Sequence, residues 1–319
     1  MRGTDMASPR ARGLGAALRD ARIEARFGLR ELGRRIGVNP ALLSNWELGQ
    51  RVPTPVEVAG VLGALGVTGQ RKAWIMLLAR GVSGPSWFSA GSQADPAHYT
   101  TLIAHERVAT SVTVWAPLLV PDLLQVPDYA RLVFGPDLRD KEKLDQVVES
   151  RLDRNRIVFG AGAIPARMFI GSEALRNHFG DAEVMLRQMR FLKDLIGISR
   201  AVTIRLAPSQ AVTQGAFSRY TMKDTSDVVY CPHHGAGVFL VGKEAVPYTG
   251  TIERLEEAAL SPAESLARLS VVVDQLLKEV KAQRRATDAG LTQLLTGEEP
   301  TTDEEPTGDE STTDEPTTD

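Results

Sequence analysis

The chain has 319 residues, 43% apolar and 24% charged, the balance of an ordinary globular protein long enough for two folded units. One cysteine, Cys231, excludes an internal disulfide, and no apolar run approaches the ~18 residues that span a bilayer, the stretch from Val112 to Val120 being broken by Pro117. The net charge of −3 hides an asymmetry: Arg10 to Arg80 carries twelve Lys or Arg against five Asp or Glu, whereas Thr296 to Asp319 carries ten acids and no base.

Residues 10–80 read as a compact five-helix bundle. Leu14, Leu18, Ala21 and Ala25 recur at helical spacing and predict a first helix with one apolar stripe. A second helix is expected from about Leu29 to Ile36, closed by Gly37, which tolerates positive φ. Asn39 then caps a third helix opened by Pro40 and continuing through Trp46 and Glu47 to Gly49. Thr54-Pro55-Val56-Glu57 is a capping box for a fourth helix, and Thr68 starts a fifth.

Residues 81–86, Gly-Val-Ser-Gly-Pro-Ser, have linker chemistry. From residue 87 to 295 helical and strand patterns mix, so the expected fold is an all-α N-terminal helix-turn-helix bundle followed by a larger α+β domain. Strands are expected at Val202–Leu206, Val228–Tyr230 and Val238–Val241, and helices at Ser172–Gly180 and Asp181–Leu195. A further helix, opened by the capping box Ser261-Pro262-Ala263-Glu264, is expected to run towards Arg285. Residues 296–319 are Thr/Asp/Glu/Pro low complexity and read as a disordered acidic tail.

Two short helices joined by a tight glycine turn form a DNA-reading arrangement, in which only outward side chains near the start of the second helix reach base edges. With Leu43 and Trp46 facing inward, the candidate base readers are Ala41, Ser44 and Asn45. Arg30, Arg34, Arg35 and Arg51 flank them and suit phosphate contact. The basic head is the electrostatic footprint of such a role.

The run Glu31-Leu32-Gly33-Arg34-Arg35-Ile36-Gly37-Val38, followed by Leu43-Ser44-Asn45-Trp46-Glu47-Leu48-Gly49-Gln50-Arg51-Val52-Pro53, resembles the XRE or Cro/C1-type repressor family. That resemblance implies a five-helix DNA-binding domain whose third helix enters the major groove, and a structural ion pair between Arg22 and Glu47. Leu29, Pro40 and Ala41 stand where such proteins often carry glutamine or serine. The run from Val114 to Arg131 is similar to the signature of the large domain found behind such readers in actinobacterial WhiJ-like developmental regulators. Arg151-Leu152-Asp153-Arg154, Glu173-Ala174-Leu175-Arg176, Gln214-Gly215-Ala216-Phe217 and Ala259-Leu260-Ser261-Pro262 match it too, whereas Asp122 replaces a usual glycine. This second resemblance implies control of development or secondary metabolism, with a small partner protein encoded nearby in an antitoxin-like arrangement.

No catalytic residue, cofactor or metal is assigned. Cys231-Pro232-His233-His234 gathers soft ligands, but adjacent side chains point apart and no second motif at zinc-like spacing accompanies them. Glu106, Glu149 and Glu173 read as solvated or paired with Arg151, Arg154 and Arg176. No phosphate-binding loop or nucleophile elbow is present, so enzyme chemistry is not expected. Trp87, Phe88, Trp115 and Tyr129 are core residues or the lining of an effector pocket. The expected protein is a cytoplasmic, nucleoid-associated regulator that binds double-stranded DNA as a homodimer and responds to a small-molecule effector or partner protein. The alternative is an antitoxin-like interaction protein that autoregulates its operon.

Overall fold

The structure is a computed structural model and describes residues 8–80, 87–90, 96–136, 138–160, 162–176, 180–223, 225–233 and 236–296. The expected linker at 81–86 and the acidic segment after Thr296 lie outside the described residues, as do the side chains of Trp87 and Phe88.

The N-terminal unit consists of α1 (Pro9–Glu24), α2 (Leu29–Ile36), α3 (Pro40–Glu47), α4 (Pro55–Ala64) and α5 (Gly69–Arg80). The polar residues between helices fix these limits. Ser8 accepts from the Ala11 amide, Asn39 from the Ala41 amide at 2.8 Å, and Thr54 and Glu57 bond reciprocally as a capping box. Gly37, at φ +70°, ends α2 in the left-handed conformation that a side chain would strain. Leu14, Leu18, Leu32, Leu43, Trp46, Val61, Leu62 and Ile75 form the core.

The larger unit is built on one seven-stranded sheet, ordered β1-β7-β6-β5-β2-β3-β4. Its strands are β1 (Trp87–Ala90), β2 (Ala109–Ala116), β3 (Ala166–Gly171), β4 (Val202–Ala207), β5 (Phe217–Met222), β6 (Val228–His233) and β7 (Ala236–Val241). Strands β2, β3 and β4 are parallel, whereas β2 pairs with β5 antiparallel and the remaining ladders are antiparallel. The parallel segment needs helical crossovers. They are α7 (Pro127–Phe134), α8 (Lys141–Arg154) and α9 (Arg156–Phe159) before β3, then α10 (Glu173–Arg176) and α11 (Ala182–Ile198) before β4.

Alternation along the strands divides the core in two. Val112 and Val114, Met168 and Ile170, and Ile204 and Leu206 face the layer that includes α6 (Pro96–Glu106), α11 and α13 (Pro262–Thr296). Trp115, Phe169, Phe217 and Val229 face α12 (Pro247–Ala258) through Ile252 and Leu255. The α+β expectation therefore describes the fold, and the three expected strands are β4, β6 and β7.

Two expectations are corrected, and a third is described only in part. Within the expected helix Ser172–Gly180, Glu173–Arg176 is helical, and residues 177–179 lie outside the described residues. The last helix passes Arg285 and includes Thr296, which was expected to open the tail. The single apolar stripe of α1 is incomplete, because Ala11, Gly13, Gly15, Ala16 and Ala17 are buried as well as Leu14, Leu18 and Ala21. The second buried face of α1 packs on α6, where a β-carbon at Gly13 would stand 2.3 Å from the Thr101 hydroxyl oxygen.

Candidate nucleic-acid interface

The helix expected to read DNA is α3. Its inner side is anchored by Leu43 and Trp46, both essentially inaccessible, and this turns Ala41 and Asn45 to solvent and leaves Ser44 half-buried. Arg30, Arg34 and Arg35 on α2 and Arg51 beyond α3 are exposed around it. Arg35 also lies over the Phe27 ring at 5.1 Å, which limits where its guanidinium can travel.

The position of α3 is set by α1. Arg22 donates from Nε to Glu47 Oε1 at 2.6 Å and from Nη2 to Oε2 at 2.8 Å, and its Nη1 bonds the Phe27 carbonyl at 2.9 Å. The fork-to-fork bond with Glu47 raises the guanidinium above its ordinary pKa. Gly15 makes the approach close, since a β-carbon there would meet the Trp46 carbonyl oxygen at 2.4 Å. Not all of the basic head stands around α3. Arg10 bonds the Ala79 carbonyl at 2.9 Å, Arg12 reaches the Thr225 hydroxyl of the larger unit at 3.2 Å, and Arg71 pairs with Glu24.

In the larger unit, segments far apart in sequence meet beneath α6. Arg154 of α8 donates to Glu106 of α6 at 2.7 Å and to Asp122 at 2.6 Å, with 3% of its side chain exposed. Tyr220 of β5 donates to Glu106 at 3.0 Å. Arg151, one helical turn before Arg154, lies 3.5 Å from the same Asp122 oxygen and 3.7 Å over the Phe134 ring. Burial alone would raise the Asp122 carboxyl, but Arg154 and Arg151 outweigh it and hold it below the usual carboxylate range. The same pairing holds Arg154 well above its usual value despite burial. Where Asp122 replaces the usual glycine the chain makes a 3₁₀ turn, Asp122–Leu124, with the Asp122 carboxylate accepting from the Leu123 amide at 3.1 Å.

Residues 13–74 match the helix-turn-helix domain family, and residues 99–270 match a family described as a domain of unknown function, DUF5753. The second match covers more than half of the chain. The chain belongs to the DUF5753 family. With the helix-turn-helix domain ahead of it, the protein is a DNA-binding regulator. No curated protein and no solved structure matches the chain.

The DUF5753 domain thus begins within α6, the helix that α1 packs against. Of the acids expected to be solvated or paired, Glu106 is buried and paired with Arg154, Glu173 pairs with Arg176, and Glu149 is exposed. Trp115 is fully buried and donates to the Gln214 carbonyl at 3.1 Å, while the buried Tyr129 hydroxyl accepts from the Val120 amide at 3.3 Å. The Cys231 thiol meets the Tyr248 hydroxyl at 3.1 Å, and burial pushes it up, away from a reactive thiolate. His234 lies outside the described residues; among those described, no three metal-ligating side chains come together. Nor is any described helix long and apolar enough to cross a membrane.

Proposed function

We propose that the protein is a sequence-specific transcriptional regulator whose α3 reads the major groove and whose DUF5753 domain sets the position of that helix. The observation that carries this reading is the two-sided burial of α1. Gly15 and Arg22 fix α1 to α3, and Gly13 fixes it to Thr101 of α6. A shift of α6 therefore passes to the reader through one packed helix, because close-packed interiors transmit displacement.

At the interface, Asn45 has the donor–acceptor pair that matches adenine, Ser44 donates or accepts, and Ala41 offers a methyl group. Arg30, Arg34, Arg35 and Arg51 hold phosphates. A module of this size covers a half-site, so the protein binds as a dimer to half-sites about one helical turn, ~34–36 Å, apart.

The test is fluorescence anisotropy of the full chain on its own upstream DNA and on a scrambled duplex across a salt series. A preference for the upstream DNA supports the reading. Equal, purely salt-driven binding to both duplexes, or none at low salt, refutes sequence-specific recognition of that site.

A further inference from the structure

The cations of the N-terminal unit differ in how they are held. Arg22 is matched by Glu47 and Arg71 by Glu24, while Arg10 and Arg12 donate to Ala79 and Thr225. Arg30, Arg34 and Arg51 are exposed, and none of the three has a hydrogen bond or ion pair among the described residues. The acids between residues 30 and 57 are engaged elsewhere. Glu47 faces Arg22, the Glu31 carboxylate accepts from the Gly28 amide at 3.4 Å, and Glu57 accepts from the Thr54 amide at 2.6 Å. The face around α3 therefore carries cations without fixed counter-ions, and such a surface attracts any nearby polyanion.

One segment of the same chain is the chemical complement of that face. Residues 298–319 hold ten acids, with no Lys or Arg and no aromatic or branched aliphatic side chain. The acids fall at 298–299, 303–305, 309–310, 314–315 and 319, so successive groups start five or six residues apart. A partner of that composition offers repeated negative charge and no apolar anchor, as the phosphates of a duplex do.

The point of attachment permits the contact. The acids start two residues after Thr296, the last residue of α13. At ~3.3–3.6 Å per residue, an extended segment of this length reaches ~70–80 Å. A compact body of 319 residues has a radius of gyration of only ~20 Å. Tethering also keeps the acids at an effective concentration on the order of millimolar, so that weak, exposed ion pairs suffice.

We propose that residues 298–319 occupy the α2–α3 face of their own chain, pair with Arg30, Arg34 and Arg51, and compete there with DNA phosphates. This rests on the assignment of that face to DNA above and adds an internal control to it. The acids lower the affinity for every duplex by a similar factor, and that factor shrinks as salt rises.

The test uses a fluorescein-labelled peptide of residues 297–319, followed by anisotropy without DNA. It is titrated with the full chain and with a full-length variant carrying Glu298→Gln, Glu299→Gln and the corresponding amide at the other eight acids through Asp319. In ~50 mM salt the amide variant binds the peptide saturably and about tenfold more tightly than the parent, whose own acids fill the face. Adding Arg30→Gln, Arg34→Gln and Arg51→Gln to the amide variant weakens the peptide about threefold to a hundredfold, the range for three exposed ion pairs. Circular dichroism checks that the fold survives these exposed substitutions. With a scrambled duplex in place of the peptide, the amide variant binds about tenfold more tightly than the parent, and the gap narrows towards ~200 mM salt.

No peptide binding to the amide variant, equal binding by parent and amide variant, or no loss with the three glutamines overturns the assignment. So does a parent affinity that rises to that of the amide variant on dilution, which would place the contact between two chains. Equal affinity of parent and amide variant for the scrambled duplex overturns the competition. Because the peptide titrations contain no DNA, their failure is distinct from a failure of α3 to recognise the upstream DNA.

Discussion

Gly13 and Thr101 meet across the two domains with no room for a methyl group, the ideal β-carbon at position 13 falling 2.3 Å from the Thr101 hydroxyl oxygen and 3.1 Å from its β-carbon. Thr101 is fully buried and cannot swing aside. Gly13→Ala therefore separates α1 from α6, at a cost of about 1–3 kcal/mol, the usual range for overpacking. Urea unfolding followed by tryptophan fluorescence measures the cost. A variant as stable as the parent would mean that the two helices are not held at this distance.

The base-reading and phosphate roles separate by their dependence on sequence. Asn45→Ala is expected to lose about 1–3 kcal/mol on the specific site and little on scrambled DNA. Arg34→Ala weakens both duplexes alike and lowers the slope of affinity against salt. Anisotropy titrations of the two variants provide the comparison. Equal losses on both duplexes for Asn45→Ala would remove Asn45 from the base-reading set.

The buried charge cluster makes a stability prediction. Arg154→Met leaves Glu106, Asp122 and the Tyr220 hydroxyl without the cation between them, and breaking a buried pair in this way costs about 3–5 kcal/mol. Differential scanning calorimetry should show the transition of the DUF5753 domain falling steeply. A small shift would mean that water reaches the carboxylates and shields them.

His105 gives the domain a pH dependence. It lies on α6, fully buried, with Nδ1 at 2.7 Å from the Thr101 carbonyl oxygen and its ring stacked on Phe239 at 5.3 Å. Burial lowers its pKa to about 4 from 6.5; the Thr101 bond opposes this and nearby Arg12 reinforces it. The unfolded chain therefore binds a proton between these values that the folded chain does not. Stability is fully present above pH 6.5 and is lost as pH falls towards 4, by up to about 3 kcal/mol. Denaturant midpoints from pH 6.5 to 5, where most carboxylates remain ionised, should fall in the parent and stay flatter in His105→Gln. Parallel slopes would assign the effect to other groups.

Local chemistry in the sequence made the N-terminal bundle legible. Asn39 before Pro40, the Thr54 and Glu57 capping box, and Gly37 after Ile36 each satisfy or end a backbone hydrogen-bonding pattern within a few residues, so they mark α2, α3 and α4 without reference to the rest of the chain. The periodic burial that turns Asn45 outward while Trp46 turns inward is equally local. Strands β2 and β3 are not legible in local patterning for the opposite reason. Most of their residues are buried on both faces of the sheet, so Val112–Ala116 and Met168–Ile170 lack the alternation that marks a half-buried strand.

The sequence by itself determined the helix-turn-helix, the exposed face of its third helix and its basic charge, because helix caps, periodicity and charge act over one or two turns. Only the tertiary structure decided that Gly13 is an interdomain contact, that Glu106 is a buried counter-ion, and that Asp122, Gln125, Arg151 and Ala216 share one cavity. Those relations join residues separated by up to nearly a hundred positions, and they follow from how strands β2 and β5 pair and how α6 lies between the sheet and α1. Such long-range packing depends on shape complementarity between whole elements, which no local spacing records.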